Sequence, residues 1–253
     1  MLKMEAIAGN SSMRALDVME TYRKAGRQLS LSELSRLAGI PVSTCHGVVR
    51  ALQRRGFLYY LSAREAYPTR QLLDLATDID ANDPIAARLM PALTALRGAT
   101  RETVIYGTRA GEAVLYLGVI EGAQTIRYSS RAGERKPLHS SAIGKAILGA
   151  LPPQKLEEWL ATHSLARVTE RTITSARRLK LDLEASRKRG YYVTRGENVT
   201  DVMAIAVSLR RGATLLGIAV AGPLERIKHS EARVAAKLQK CVLALEQRDA
   251  GRQ

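Results

Sequence analysis

The sequence predicts an α+β protein with a winged helix-turn-helix over residues 1–68, a linker helix over 69–83, and a larger domain over 84–253 built on six antiparallel strands. Three features carry this reading. The first 55 residues hold helical apolar spacing, broken by Gly26 and Gly39. Beyond Thr103 the apolar period drops to two, in short runs parted by turn signals such as Arg109-Ala110-Gly111-Glu112. Strands joined in hairpin order, with helices beside them, give an antiparallel sheet.

In the first part, residues 12–25 place Met13, Leu16, Val18, Met19 and Tyr22 at near-helical spacing, and Gly26 ends that helix. Ser30-Leu31-Ser32-Glu33 reads as a capping box, in which the Ser30 hydroxyl accepts from the Glu33 N–H while Glu33 reaches back. Leu31, Leu34, Leu37 and Ala38 form the inward stripe of this second helix, and Gly39 closes it. Pro41 suits the first turn of a third helix. There Cys45, Val48, Val49 and Leu52 face inward, while Ser43, His46, Gly47, Arg50 and Arg54 face out, with Thr44 at the N-terminal edge. Two short helices across a glycine turn, the second with a small and basic outer face, form a helix-turn-helix. Short hydroxyl side chains can approach base edges, and arginines reach phosphates. Residues 56–61 and 66–68 read as two strands around the polar tip Ser62-Ala63-Arg64-Glu65, a wing that carries Arg64. A plain three-helix bundle with a basic face explains the helices but not the hairpin.

Residues 69–82 continue as a helix with Leu72, Leu73, Leu75, Ala76 and Ile79 apolar, a linker and dimer contact. Asp83-Pro84 opens another, with Ile85, Leu89, Leu93 and Leu96 inward. Strands are expected at 103–108, 113–119, 124–129, 191–195, 204–210 and 214–221. Helices are expected at 141–151, from Pro152-Pro153 onward, at 175–189, and as one long closing helix over 224–245.

Composition bounds the partners. The 253 residues carry 39 Lys and Arg against 24 Asp and Glu, a net charge of +15. A cationic surface attracts phosphate backbones, because neutralising phosphates releases condensed counterions. The excess is spread, with eleven cations against five anions in residues 1–70 and fourteen against six in 127–191, so charge alone places no nucleic-acid site. Cys45 and Cys241 are the only cysteines and no CxxC is present, which fits a reducing cytoplasm and gives no support for a disulfide framework or structural zinc. The N-terminal residues lack the apolar run of a signal peptide, and no stretch approaches a membrane span, so no membrane partner is expected.

Catalytic constellations are absent from the sequence. His139-Ser140-Ser141 lacks a nucleophile elbow, and Gly144-Lys145 lacks the glycine loop of a phosphate site. His163 and His229 read as lone helix histidines, and four scattered histidines point to no metal; no cofactor is expected. The loop and helix over 136–148 read equally as a pocket wall offering backbone N–H groups or as close helix–sheet packing.

The runs 12–20, 31–44, 56–57, 136–148, 190–191 and 221–223 together resemble the IclR family of bacterial regulators across nearly the whole chain. That resemblance implies a winged helix, a linker helix and a GAF-like α/β effector domain, in a homodimer or homotetramer bound to a palindromic operator in double-stranded DNA. It also favours the pocket reading of 136–148. Two departures bear on recognition: Gly47 stands where family members commonly carry Arg, and Val42 where Lys is frequent. The burden shifts to Ser43, Thr44, His46 and Arg50, and the full expected DNA-contact set is Ser32, Ser43, Thr44, His46, Gly47, Arg50, Arg54 and Arg64.

Members that bind small carboxylic acids line their pocket with an Asp, a Cys and two Ser. The resemblance places Thr194, Ala204, Ala219 and Ala221 at those positions, with Tyr128, Ala142 and Ile143 as further wall. Alanines remove partners that a small acid needs, and an unpaired buried polar group costs roughly 1–3 kcal/mol. The expected effector is therefore bulkier and more apolar, an aromatic compound or aromatic acid held by backbone amides, Thr194 and Tyr128. The reading is of a DNA-binding regulator and not an enzyme. Its rivals are a nucleic-acid-binding scaffold with a merely packed core, which shows no ligand-dependent thermal shift, and an enzyme using the C-terminal pocket.

Overall fold

The computed structural model describes residues 13–250 and divides into two compact units between Asp83 and Pro84. In the first unit, α1 (Arg14–Ala25) buries Val18 and Tyr22, while Met13 and Leu16, expected on the same inward stripe, stand exposed. The expected helix start at Ser12 lies outside the described residues. A two-residue strand absent from the sequence reading, β1 (Leu29–Ser30), then leads into α2 (Leu31–Ala38).

The capping box forms. Ser30 N–H donates to Glu33 Oε2 at 3.0 Å, and Glu33 N–H donates to Ser30 Oγ at 3.3 Å. Arg27 adds a 2.8 Å bond to Glu33 Oε1, and this guanidinium together with the two donors of Ser30 holds the Glu33 carboxyl down at about 2. Gly39 sits at φ 66°, a left-handed cap that a side chain resists. Ser35 Oγ donates to Ile40 O at 2.6 Å and staples the turn into α3 (Val42–Arg54), with Pro41 at its N-cap. Leu34, Cys45 and Val49 close a core with Val18, Tyr22, Leu29, Ile40 and Leu58; Leu37, expected inside, is 48% exposed. The wing strands β2 (Leu58–Tyr60) and β3 (Glu65–Pro68) complete a three-stranded sheet in the order β1-β3-β2. The last helix of this unit, α4 (Gln71–Ala81), buries none of its residues, leaving Leu73, Leu75 and Ile79 exposed.

The second unit is a six-stranded antiparallel sheet between two helical layers. Its strands are β4 (Thr103–Ala110), β5 (Ala113–Ile120), β6 (Arg135–Pro137), β7 (Tyr192–Arg195), β8 (Val202–Arg211) and β9 (Thr214–Pro223), in the order β6-β5-β4-β9-β8-β7. Side-chain bulk divides the two faces. Along β9, Leu216, Ile218 and Val220 join Met203, Ile205 and Leu209 of β8 against α5 (Pro84–Thr100) and α10 (Glu231–Ala250). Ala219 and Ala221 face the opposite layer, α6 (Ala142–Gly149), α7 (Pro153–Thr162) and α8 (Ala176–Arg189). Each fully buried Leu or Ile contributes roughly 1.5–3 kcal/mol. On the small-residue side α6 comes close: a Cβ on Gly217 would stand 2.6 Å from Ile143 Cγ2, and one on Gly144 only 2.2 Å from Leu138 O.

Two expected elements differ. Residues 124–129 form no strand, because side chains take the backbone groups a ladder would use: Thr103 Oγ1 donates to Tyr128 O, and Arg226 to Ile126 O at 2.9 Å. The sixth strand is instead β6, paired to the β5 edge through Val114 opposite Lys136. The single closing helix is two, α9 (Leu224–Lys228) and α10, broken at His229-Ser230. Arg226, held by Glu102 at 2.6 and 2.8 Å, fixes the first piece, and Arg195 on Glu231 at 2.7 Å the start of the second.

Replacing Ser30 by Ala removes the cap of α2 and is expected to cost about 1 kcal/mol. Amide hydrogen exchange should show the loss as faster exchange in α2 and α3, with the second unit unchanged.

Candidate functional site

On α3, at 100° per residue, positions 43, 46, 47, 50 and 54 fall within a single third of the helix circumference. The structure leaves Ser43, His46, Gly47, Arg50 and Arg54 exposed on that face, with Thr44 half-buried at its N-terminal edge. Ser32 is exposed at the start of α2, and Arg64 is exposed at the wing tip, where Ser62 Oγ accepts from the Arg64 and Glu65 N–H groups. Gly47 has open space where a Cβ would stand, so its smallness answers to no packing demand within this chain.

In the second unit a cavity of about 390 Å³, its mouth included, lies between the small-residue face of the sheet and the N-terminal end of α6. All seven expected effector positions line it: Tyr128, Ala142, Ile143, Thr194, Ala204, Ala219 and Ala221. The register explains their convergence. Thr194 pairs with Ala204, Ala204 with Ala221, and Ala221 with Thr103, one cross-strand row that is alanine at its centre. Thr194 is 4% exposed, and its hydroxyl has no hydrogen-bond partner among the described residues. Ser141 Oγ accepts from Gly144 N–H at 3.2 Å and caps α6, whose first two residues, Ala142 and Ile143, line the cavity. Among the described residues no charged side chain lines the cavity.

Sequence reasoning missed six lining residues: Ile105, Tyr116, Ser141, Asn198, Val199 and Val202. Tyr116 reads in the sequence only as a strand residue; it lies opposite Gly107 in β4, on the same face as Val114. Asn198 and Val199 sit in the loop after Gly196, whose length gave no clue to its fold. That loop is tied from behind by Lys145, which is fully buried. Its Nζ lies 2.8 Å from Asp182 Oδ2 and 2.7 Å from Glu197 Oε2. Burial pushes the Glu197 carboxyl up and the lysine pulls it down, with burial the larger effect. Thr172 Oγ1 donates to Glu197 O at 2.7 Å, and Asn198 Nδ2 to Ser140 Oγ at 3.1 Å.

The remaining histidines are spoken for. His139 is buried with its Nε2 2.9 Å from Ala166 O, and burial pushes its pKa down. His163 stacks on Trp159 with ring centroids 4.6 Å apart and pairs with Glu112. Among the described residues no group of three or more His, Cys, Asp or Glu side chains is placed to hold a metal ion, and no helix is long and apolar enough to cross a membrane.

Two family models match the chain. The one described as the bacterial transcriptional regulator IclR C-terminal domain covers residues 79–247, and the one described as the IclR helix-turn-helix domain covers residues 11–62. With the geometry above they define a DNA-binding transcriptional regulator whose C-terminal domain binds an effector. The chain belongs to the IclR family. It is 32% identical over 228 residues to the HTH-type transcriptional regulator BhcR of Paracoccus denitrificans, covering 88% of this chain and 80% of that one. It is 30% identical over 200 residues to KipR of Bacillus subtilis, covering 77% and 78%. The crystal structure of Thermotoga maritima IclR is similar with a TM-score of 0.77 at 26% identity, over 94% of this chain and 98% of that one. An IclR homolog of Microbacterium hydrocarbonoxydans, complexed with 4-hydroxybenzoate, shares the fold with a TM-score of 0.76 at 22% identity, over 94% and 98%.

Lys145→Met leaves two carboxylates without their cation, Glu197 among them at 8% exposure, and is expected to cost about 3–5 kcal/mol at neutral pH. Without the lysine, the folded-state pKa of Glu197 lies further above its unfolded value, so the deficit should grow as pH rises. Urea denaturation in mildly acid and mildly alkaline solution measures both.

Proposed function

We propose that the exposed face of α3 enters the major groove of a palindromic operator, with effector occupancy in the second unit tuning that binding. Ser32, Ser43, Thr44, His46 and Gly47 contact bases or nearby phosphates, and Arg50, Arg54 and Arg64 take phosphates. A homodimer or homotetramer supplies the two-fold partner for the operator half-sites. The effector binds the two states of the assembly unequally, and only that difference shifts DNA affinity.

One observation carries the effector reading: an uncharged cavity with an alanine floor, bounded by the buried Thr194 and the start of α6. A two- or three-carbon acid finds few side-chain partners there. A ring lies well on alanines, and its carboxylate meets the N–H groups at the start of α6, where the helix dipole favours negative charge. The effector is thus an aromatic acid or a similarly bulky, largely apolar compound held by Tyr128, Ala142, Ile143, Thr194, Ala204, Ala219 and Ala221. The ligand in the Microbacterium homolog is of this kind.

Two measurements test the reading. Arg50→Ala should flatten the slope of log affinity against log salt by about one unit, and Arg50→Glu should abolish binding, both read by fluorescence anisotropy on DNA from upstream of the gene. Unchanged attachment of the charge-reversed protein removes α3 from the interface. Calorimetry should show benzoate binding more tightly than pyruvate; the reverse order rules out the apolar-effector reading.

A further inference from the structure

We propose that Gly47 is a notch in the exposed face of α3 that receives the 5-methyl group of a thymine in the operator. This rests on the major-groove reading above and adds a base preference to it.

A glycine in the middle of a helix is normally a cost, because it lowers helix propensity relative to alanine. Position 47 lies well inside α3, which runs from Val42 to Arg54. Its backbone is ordinary helix, unlike Gly39, whose φ of 66° calls for a glycine. Packing does not call for it either. A Cβ on Gly47 meets nothing within 4 Å among the described residues, whereas one on Gly144 runs into Leu138 O. Neither backbone nor core explains the residue. A local rule broken with no gain inside the fold marks a place where a partner comes close to the backbone.

The surroundings of Gly47 say which group that is. Its neighbours on the helix surface are positions 43, 44, 50 and 51. Ser43, Thr44 and Ala51 are small, and only the exposed Arg50 is long. Position 47 is thus the floor of a shallow depression with a cation at one side. The floor has no side chain, and inside a helix the backbone N–H and C=O are bonded to each other's turns. A polar base edge pressed against it gives up water and gains no partner. The thymine methyl is the one feature of the major-groove edges that asks for no hydrogen bond, and its burial is favourable. A Cβ at position 47 competes with that methyl for the same volume.

Fluorescence anisotropy tests this with full-length wild type and Gly47→Ala. The probe is the DNA from upstream of the gene, made once with thymidine and once with deoxyuridine throughout, which removes the methyls and keeps the base pairing. Wild type should prefer the thymidine duplex about fourfold for each half-site, the worth of one buried methyl. Gly47→Ala should lose about tenfold on the thymidine duplex, as overpacking implies, and little on the deoxyuridine duplex. The preference therefore falls about tenfold between the two proteins, and thymines touched elsewhere cancel from that comparison. Amide hydrogen exchange in α3 should slow about fourfold in the variant, since alanine is the better helix former. A wild type indifferent to the methyls overturns the notch. So does a variant that weakens equally on both duplexes, which puts the sugar–phosphate backbone against Gly47, or one that binds both as the wild type does. Faster exchange in α3 also overturns it, because Gly47 then serves its own fold. All these outcomes leave α3 in the groove; attachment that survives Arg50→Glu removes α3 from the interface, and the notch with it.

Discussion

Along β9 a long or branched side chain alternates with a glycine or an alanine, and the second unit is organised around that alternation. Leu216, Ile218 and Val220 supply one apolar layer for α5 and α10. On the other face Gly217, Ala219 and Ala221 present almost no bulk, which lets α6 descend until Ile143 rests on Gly217. The same smallness leaves space beside the helix start. Packing and cavity are two results of one sequence pattern, because a sheet face that must admit a helix closely cannot also fill every gap next to it.

Polar groups close the cavity at both ends, and each reaches into a distant part of the chain. Lys145 carries the loop after β7 through Glu197, and Thr103 with Arg226 carries the loop after β5. A buried ion cluster is an expensive way to hold a loop, since desolvation opposes the Coulombic gain. What it supplies is a single arrangement, with Glu197 seated on Lys145 and the next two residues, Asn198 and Val199, at the cavity. An apolar contact in the same place tolerates sliding and sets the loop less sharply.

Local chemistry made much of this visible beforehand. Ser30 and Glu33 stand three residues apart and cap each other, and the outward set on α3 follows from helical period alone. The paired strands β8 and β9 announce themselves through alternation and the turn at Arg211-Gly212. Elsewhere tertiary ties overrode local preference. Thr125, Ile126 and Tyr128 look like a strand, yet the carbonyls of Tyr128 and Ile126 are taken by side chains from β4 and α9. Arg135-Lys136-Pro137 has no strand character and pairs because it lies along the open β5 edge, where a proline is tolerated. The effector positions came through resemblance, whereas Tyr116 and Asn198 could not, since one depends on which face of the sheet carries the cavity and the other on a loop. Lys145 resembled any solvated lysine, because its partners lie 37 and 52 residues further along the chain.

Trp159 is the chain's single tryptophan, and it lies in α7, stacked on His163 at a centroid distance of 4.6 Å. Its ultraviolet emission is therefore a private optical signal of the second unit. The helix-turn-helix holds no tryptophan; its aromatic residues are Tyr22, Phe57, Tyr59, Tyr60 and Tyr67. Melting curves collected at the tryptophan wavelength follow one half of the molecule, and the half that touches DNA can come apart without registering in them.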